Sequence, residues 1–159
     1  MKKALASLLV SGSCVLNPAF ADPLKEVAEV VAPRAKAYVT GDVEGWTAVY
    51  ADNATFYSSL SPFRIDGKAA IRSYFADYFA QYPNRKYVLR QNTLRAYGDN
   101  LVVANGYYEL VQTDRSGKTA ILPGRYSVVF AKLNGRWQIV DQHNATLGNG
   151  GSSAVGAQH

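Results

Sequence analysis

GRYSVVFAKLNGRWQIVDQHNATLG, residues 124–148, holds two apolar, β-prone runs joined by Asn134-Gly135. Such a pair between such runs is the strongest short-range hairpin signal, because both turn positions need φ > 0. With Asn134 and Gly135 as the two-residue turn, Leu133 faces Arg136 and Lys132 faces Trp137. Strand side chains alternate between faces. One face then carries Tyr126, Val128, Phe130, Trp137, Ile139, Asp141 and His143. The other carries Arg125, Ser127, Ala131, Gln138, Gln142 and Asn144, with Val129 and Val140. The first face is apolar until its open end, where Asp141 and His143 join Tyr126. A carboxylate and an imidazole on an apolar face cost free energy unless they are paired or face a cavity. The expectation is a pocket at that end, or a buried Asp–His pair that closes the core.

Upstream, the chain reads as helices and then strands. Asp22 caps a helix with Pro23 at its first position, and Leu24, Val27, Val30 and Val31 recur at helical spacing. Pro33 splits it, and Gly41 ends the continuation. Asp42 caps a short helix, Val43 to Tyr50, that contains Trp46. Ala54 to Ser59 is a strand. From Lys68 to Tyr82 the residues Ile71, Tyr74, Phe75, Tyr78, Phe79 and Tyr82 form one buried helical stripe. Strands follow over Lys86–Tyr97, Leu101–Thr113, Thr119–Leu133 and Arg136–Leu147, with a bulge near Arg90–Asn92 and a bulge or bend at Pro123-Gly124. This order predicts an α+β fold: a cone-shaped, curved antiparallel sheet wrapped by N-terminal helices.

Met1-Lys2-Lys3, a short apolar stretch and Ala19-Phe20-Ala21 read as a signal peptide, residues 1–21, cleaved after Ala21. That predicts a periplasmic or secreted bacterial protein, a single domain over 22–147 and a disordered tail over 148–159. Cys14, the only cysteine, leaves with the signal, which excludes thiol catalysis and thiolate metal sites. Loss of Lys2 and Lys3 takes the formal charge from +5 to +3. No dense basic run or nucleic-acid motif accompanies the pI near 9.3, so no nucleic-acid partner is expected. His143 and His159 are the only histidines. A three-His metal site within one chain is therefore impossible, and neither a metal nor a cofactor is expected.

Several segments carry a family likeness: Thr40-Gly41-Asp42, Val49-Tyr50-Ala51-Asp52-Asn53-Ala54, Ala70-Ile71-Arg72-Ser73-Tyr74-Phe75, Pro123-Gly124-Arg125-Tyr126-Ser127, and Asn134 to His143. Their order and spacing resemble the nuclear-transport-factor-2-like (SnoaL-like) superfamily, and within it the bacterial relatives of the calcium/calmodulin-dependent kinase II association domain. One branch is similar to the iota-class carbonic anhydrases, some of which work without metal. There the last strand ends Asp-His-His-Ser-Ser, and a Thr, a Tyr, the second His and the second Ser surround the substrate. That resemblance implies Tyr74 as the Tyr and His143 as the second His, with Ser59 in place of the Thr. Gln142, Asn144 and Ala145 replace the first His and both Ser residues.

Three readings follow. The first is a pocket protein that binds a small carboxylate or oxyanion beside His143, with Tyr126, Arg125, Asn144 and Trp46 as ligand contacts. The second is a metal-independent, carbonic-anhydrase-like lyase using His143, Asp141, Tyr74 and Ser59. The third is a ketosteroid-isomerase-like proton shuttle on Asp141, with Tyr74, Tyr126 or Tyr38 as oxyanion donor. Val129, Val140 and Ala131 on the other sheet face predict a homodimer through that face.

Overall fold

A computed structural model describes residues 22–147. The signal segment 1–21, with Cys14, and the tail 148–159, with His159, lie outside the described residues. Three short helices come first: α1 (Pro23–Val31), α2 (Arg34–Thr40) and α3 (Val43–Thr47). Asp22 Oδ1 accepts from Leu24 N at 3.0 Å and caps α1, and Asp42 Oδ1 accepts from Gly45 N at 2.9 Å and caps α3. Gly41 ends α2 at φ 77°, a left-handed position that suits glycine. β1 (Tyr50–Tyr57) and a short β2 (Arg64–Asp66) precede α4 (Lys68–Gln81). Then come β3 (Asn84–Ala96), β4 (Leu101–Thr113), β5 (Thr119–Leu133) and β6 (Arg136–Thr146).

The six strands form one sheet in the order β2-β1-β6-β5-β4-β3. β1 and β2 make one edge, α4 carries the chain to the other, and β3 to β6 meander back. The last strand therefore returns beside β1 in the parallel sense, whereas every other neighbouring pair is antiparallel. β2 was not expected: three residues are too few to show a period. All described helices cover one face. Val27, Tyr38, Trp46, Ile71, Phe75 and Phe79 from them join Phe56, Val102, Tyr108, Val128, Phe130 and Ile139 from the sheet in one buried cluster. Of the stripe its spacing predicts, Ile71, Phe75, Tyr78 and Phe79 are buried, and Tyr74 and the capping Tyr82 are half-buried against the core.

The hairpin forms at Asn134 (φ 50°) and Gly135 (φ 74°), with Leu133 opposite Arg136 and Lys132 opposite Trp137. The β3 bulge is present too, between Arg90 and Thr93. The bend expected at Pro123-Gly124 is not a bulge, since β4 and β5 pair there without a break. A Cβ on Gly124 would lie 2.2 Å from Tyr108 Cζ, so this glycine makes room for a ring. The second bulge sits in β6 instead. Ile139 pairs with Phe130 and Asp141 with Val129, leaving Val140 as the extra residue.

Arg85, only 6% exposed, ties the helices to the sheet. Its guanidinium donates to the carbonyls of Tyr38 at 3.0 Å, Phe79 at 3.1 Å and Val39 at 3.4 Å, and to Tyr82 O. These carbonyls close α2 and α4, where the helix dipoles are negative. Arg85→Ala is expected to cost about 3 kcal/mol in urea denaturation, because buried carbonyls lose a charged donor. Arg85→Lys should recover part of that, since a point charge cannot serve both helix ends. An Arg85→Ala protein as stable as wild type would contradict this role.

Candidate functional site

The bulge at Val140 inverts the side-chain parity of the last half of β6. A residue inserted in one strand of a pair shifts everything beyond it to the other face. Gln142 and Asn144 therefore turn toward the helices, and Asp141, His143 and Ala145 turn to the open face. This corrects the expectation that Asp141 and His143 look into the hollow. The physical reason lies in their charge. A regular β6 would press the Asp141 carboxylate into the apolar face beside Ile139, where it would be desolvated without a cation. With the bulge, Thr55 Oγ1 donates to Asp141 Oδ1 on the open face. Neutral Gln142, 4% exposed, takes the interior place. Its Oε1 accepts from the fully buried Tyr50 hydroxyl at 2.7 Å, and its Nε2 donates to Asn144 Oδ1 at 3.2 Å.

The interior carries a small cavity between the sheet, α3, α4 and the β1–β2 loop. Tyr74 and Ser59 lie there, as expected. The Tyr74 hydroxyl is 2.5 Å from Ser58 Oγ, and the Tyr108 hydroxyl donates to Ser59 Oγ at 3.2 Å. Trp46 is also at the wall, with its ring under the Arg34 guanidinium at 3.9 Å. Its indole Nε1–H is buried and has no hydrogen-bond partner, alone in this among the described side chains. Trp137, by contrast, donates Nε1–H to Glu26 Oε2 at 2.5 Å. The free space is about 30 Å³, on the scale of two or three waters at about 10–15 Å³ each.

The residues expected to act together are thus split by the sheet. Tyr74, Ser59, Trp46 and Asn144 border the cavity. His143 and Arg125 lie on the open face in a groove of about 590 Å³. Tyr126 is buried on the helix side, where its hydroxyl donates to Asn92 Oδ1. Unbroken strand parity through Val140 hides Gln142, and Ser58 and Tyr108 are missed because their partners, Tyr74 and Ser59, meet them only in the fold. Asp141 sets the need for that bulge, but its partners there and those of Gln142 are Thr55 and Tyr50, more than eighty positions away.

No side chain lining the cavity is an acid, a lysine, an arginine or a histidine. Its titratable groups are tyrosines, and burial pushes them upward: Tyr78 to about 12, with Tyr38, Tyr74 and Tyr87 also raised. The cavity is therefore neutral at physiological pH, a surface of rings, hydroxyls and amides.

Among known proteins, residues 24–148 match the model of the calcium/calmodulin-dependent protein kinase II association domain. A structure from Xanthomonas campestris, provisionally described as such a domain, is 25% identical. It superposes with a TM-score of 0.70 over 79% of this chain and 89% of that one. A nuclear transport factor 2-like superfamily protein from Salmonella enterica is 20% identical, with a TM-score of 0.71 over 86% and 97% of the two chains. A protein from Streptomyces avermitilis, provisionally described as a dehydratase of the same fold family, is 13% identical, with a TM-score of 0.67 over 79% and 96%. The last two show the fold alone. No curated protein matches the chain.

The buried tyrosines set an alkaline limit. Tyr78 and Tyr126 rest near 12 in the fold, against 10.0 for a free side chain. A group whose folded pKa is raised leaves stability intact below the unfolded value and removes it as pH climbs toward the folded one. Stability should hold to about pH 10 and fall between about 10 and 12. Absorbance at 295 nm should show these tyrosines ionising together with loss of circular dichroism. Their ionisation near pH 10 in a folded protein would contradict the neutral interior.

Proposed function

The chain belongs to the calcium/calmodulin-dependent protein kinase II association domain family, and from that premise we propose that it is a small-molecule pocket protein whose ligand sits beside Trp46. The observation that carries this reading is the buried, partnerless indole N–H at the cavity wall. A buried donor without an acceptor costs about 1–3 kcal/mol. An oxygen of a water or a ligand relieves that cost. The surrounding groups are hydroxyls, amides and aromatic rings, so the ligand is neutral, small and oxygen-bearing, such as a ketone, an amide or a phenol. The cation near Trp46 is Arg34, 3.9 Å from the ring centroid, but its guanidinium already donates to Trp46 O and the Tyr50 hydroxyl and does not line the cavity. A ligand larger than water displaces the Ser58–Phe63 loop, where Leu60 and Phe63 are exposed.

The reading is of a binder. Hydration of carbon dioxide or a steroid-type proton transfer needs a base beside the substrate. Asp141 and His143, the residues assigned that work, sit across the sheet from Tyr74 and Ser59. The signal-like segment over residues 1–21 supports an exported binder, in the periplasm or outside the cell.

The test uses acetone, acetophenone and phenol as probes on wild-type protein and on Trp46→Phe. At least one should shift the Trp46 indole N–H resonance and raise the melting temperature by mass action. Trp46→Phe should fold and lose the melting shift. A silent indole with all three probes, or a shift that survives in Trp46→Phe, would overturn the proposal.

A further inference from the structure

At the opposite end of β6 from His143, one edge of the strand is left without a neighbour. Leu133 and Arg136 face each other across the two-residue turn, and the pair that closes such a turn exchanges both of its backbone hydrogen bonds. Trp137, one residue on, therefore turns its N–H and C=O away from β5, to the side where β1 lies. Ile139 points the same way and donates its N–H to Val49 O at 2.8 Å. β1 pairs with β6 only from Tyr50 opposite Ile139 onward. Beside Trp137 the chain has already left the sheet for α3. Among the described residues the Trp137 N–H and C=O have no partner on this edge.

The gap opens on a groove of about 730 Å³ between α1, α3 and the β5–β6 hairpin. Val30, Pro33, Ala48 and Val49 give it an apolar wall. Its floor is fixed, because Glu26 Oε2 accepts from Lys132 Nζ at 2.7 Å and from Trp137 Nε1 at 2.5 Å. The charges around it are unequally engaged. Glu26 is answered by Lys132, and Glu29 lies 3.9 Å from Lys25. Arg34 is held by Trp46 O and the Tyr50 hydroxyl. Arg136 takes part in no ion pair among the described residues. The groove therefore offers a backbone donor and acceptor, an apolar wall and one free guanidinium.

We propose that this groove takes a short, extended acidic segment of another polypeptide, which adds to β6 as a strand at Trp137. An extended peptide supplies the C=O and N–H that Trp137 lacks. Register then sets the order of its side chains. Trp137 faces the helices, so Arg136 and Gln138 face the other way. The peptide residue opposite Trp137 turns toward Val30 and Pro33 and is apolar. The residues on either side of it stand beside Arg136 and Gln138, where a carboxylate matches the planar fork of the guanidinium. The segment thus reads acid–apolar–acid. This site lies apart from the Trp46 cavity and does not rest on the reading given for it.

The experiment titrates the full chain with the blocked peptide acetyl-Glu-Val-Glu-amide and follows backbone amide resonances. The peptide should move Val49, Trp137 and Gln138 and slow solvent exchange of the Trp137 N–H. Methylating its backbone nitrogens removes its donors and should weaken binding about tenfold or more. Arg136→Ala, an exposed position, should weaken binding about threefold or more. Arg136→Glu should reverse the preference in favour of the Lys-Val-Lys counterpart. Trp46→Phe should bind the peptide as wild type does, which separates failure here from failure of the cavity reading. The proposal is overturned by equal binding of the methylated peptide, by equal binding of Lys-Val-Lys to wild type, or by a response that Arg136→Ala leaves unchanged. Silence of Val49, Trp137 and Gln138 overturns it as well, whether a second copy, the chain's own leader or nothing covers this edge.

Discussion

A carboxylate cannot be left in a dry apolar layer without a cation, and the last strand is built around that constraint. Asp141 follows Ile139 and Val140 on a strand whose regular continuation would bury it. One extra residue, Val140, moves it to the open face and draws Gln142 inward. A buried amide needs partners, and the hydroxyl of Tyr50 and the side chain of Asn144 supply them. Tyr50 in turn receives a hydrogen bond from Arg34 at 3.4 Å. The chain Arg34–Tyr50–Gln142–Asn144 thus links helix, parallel strand and cavity in one polar network, each member of which holds the others.

That exchange decides what the two faces of the sheet can do. The helix-covered face keeps a neutral interior, with hydroxyls and amides around an indole N–H that has no acceptor. The open face gathers an imidazole and a guanidinium in a groove free of acids. Had β6 run without its bulge, His143 and Asp141 would share the cavity with Tyr74 and Ser59, and an acid–base constellation would exist. The family fold permits both arrangements. One inserted residue selects between them at the cost of a few ladder hydrogen bonds.

Much of this architecture was legible in the residues. Asn134-Gly135 announces its turn because left-handed dihedrals are needed at both positions, and the aromatic spacing from Ile71 to Phe79 admits one buried stripe. The phase change near Arg90–Asn92 betrays the β3 bulge, since polar residues would otherwise land on the core face. Val140 offers no such sign. The cost of Asp141 and His143 on an apolar face is relieved equally by a pocket or by a bulge, and the choice rests on Tyr50 and Thr55, brought alongside only by the crossover of α4. Arg85 escaped notice for a related reason: its partners are carbonyls of two helix ends, which no side-chain pattern reveals. The free indole of Trp46 is likewise a property of packing, because the same residue paired, as Trp137 is with Glu26, reads identically in sequence.

Thiol labelling measures the orientation of β6 most directly. In a Cys14→Ser background, Gln142→Cys and His143→Cys each place one cysteine on the disputed strand, and their rates with a soluble thiol reagent in the folded protein report which side faces water. The account predicts that the His143→Cys thiol reacts like an exposed cysteine and the Gln142→Cys thiol about a hundredfold more slowly, through local opening alone. A protected thiol at 143 beside a reactive one at 142 would show that β6 has no bulge at Val140 and that the imidazole belongs to the cavity after all.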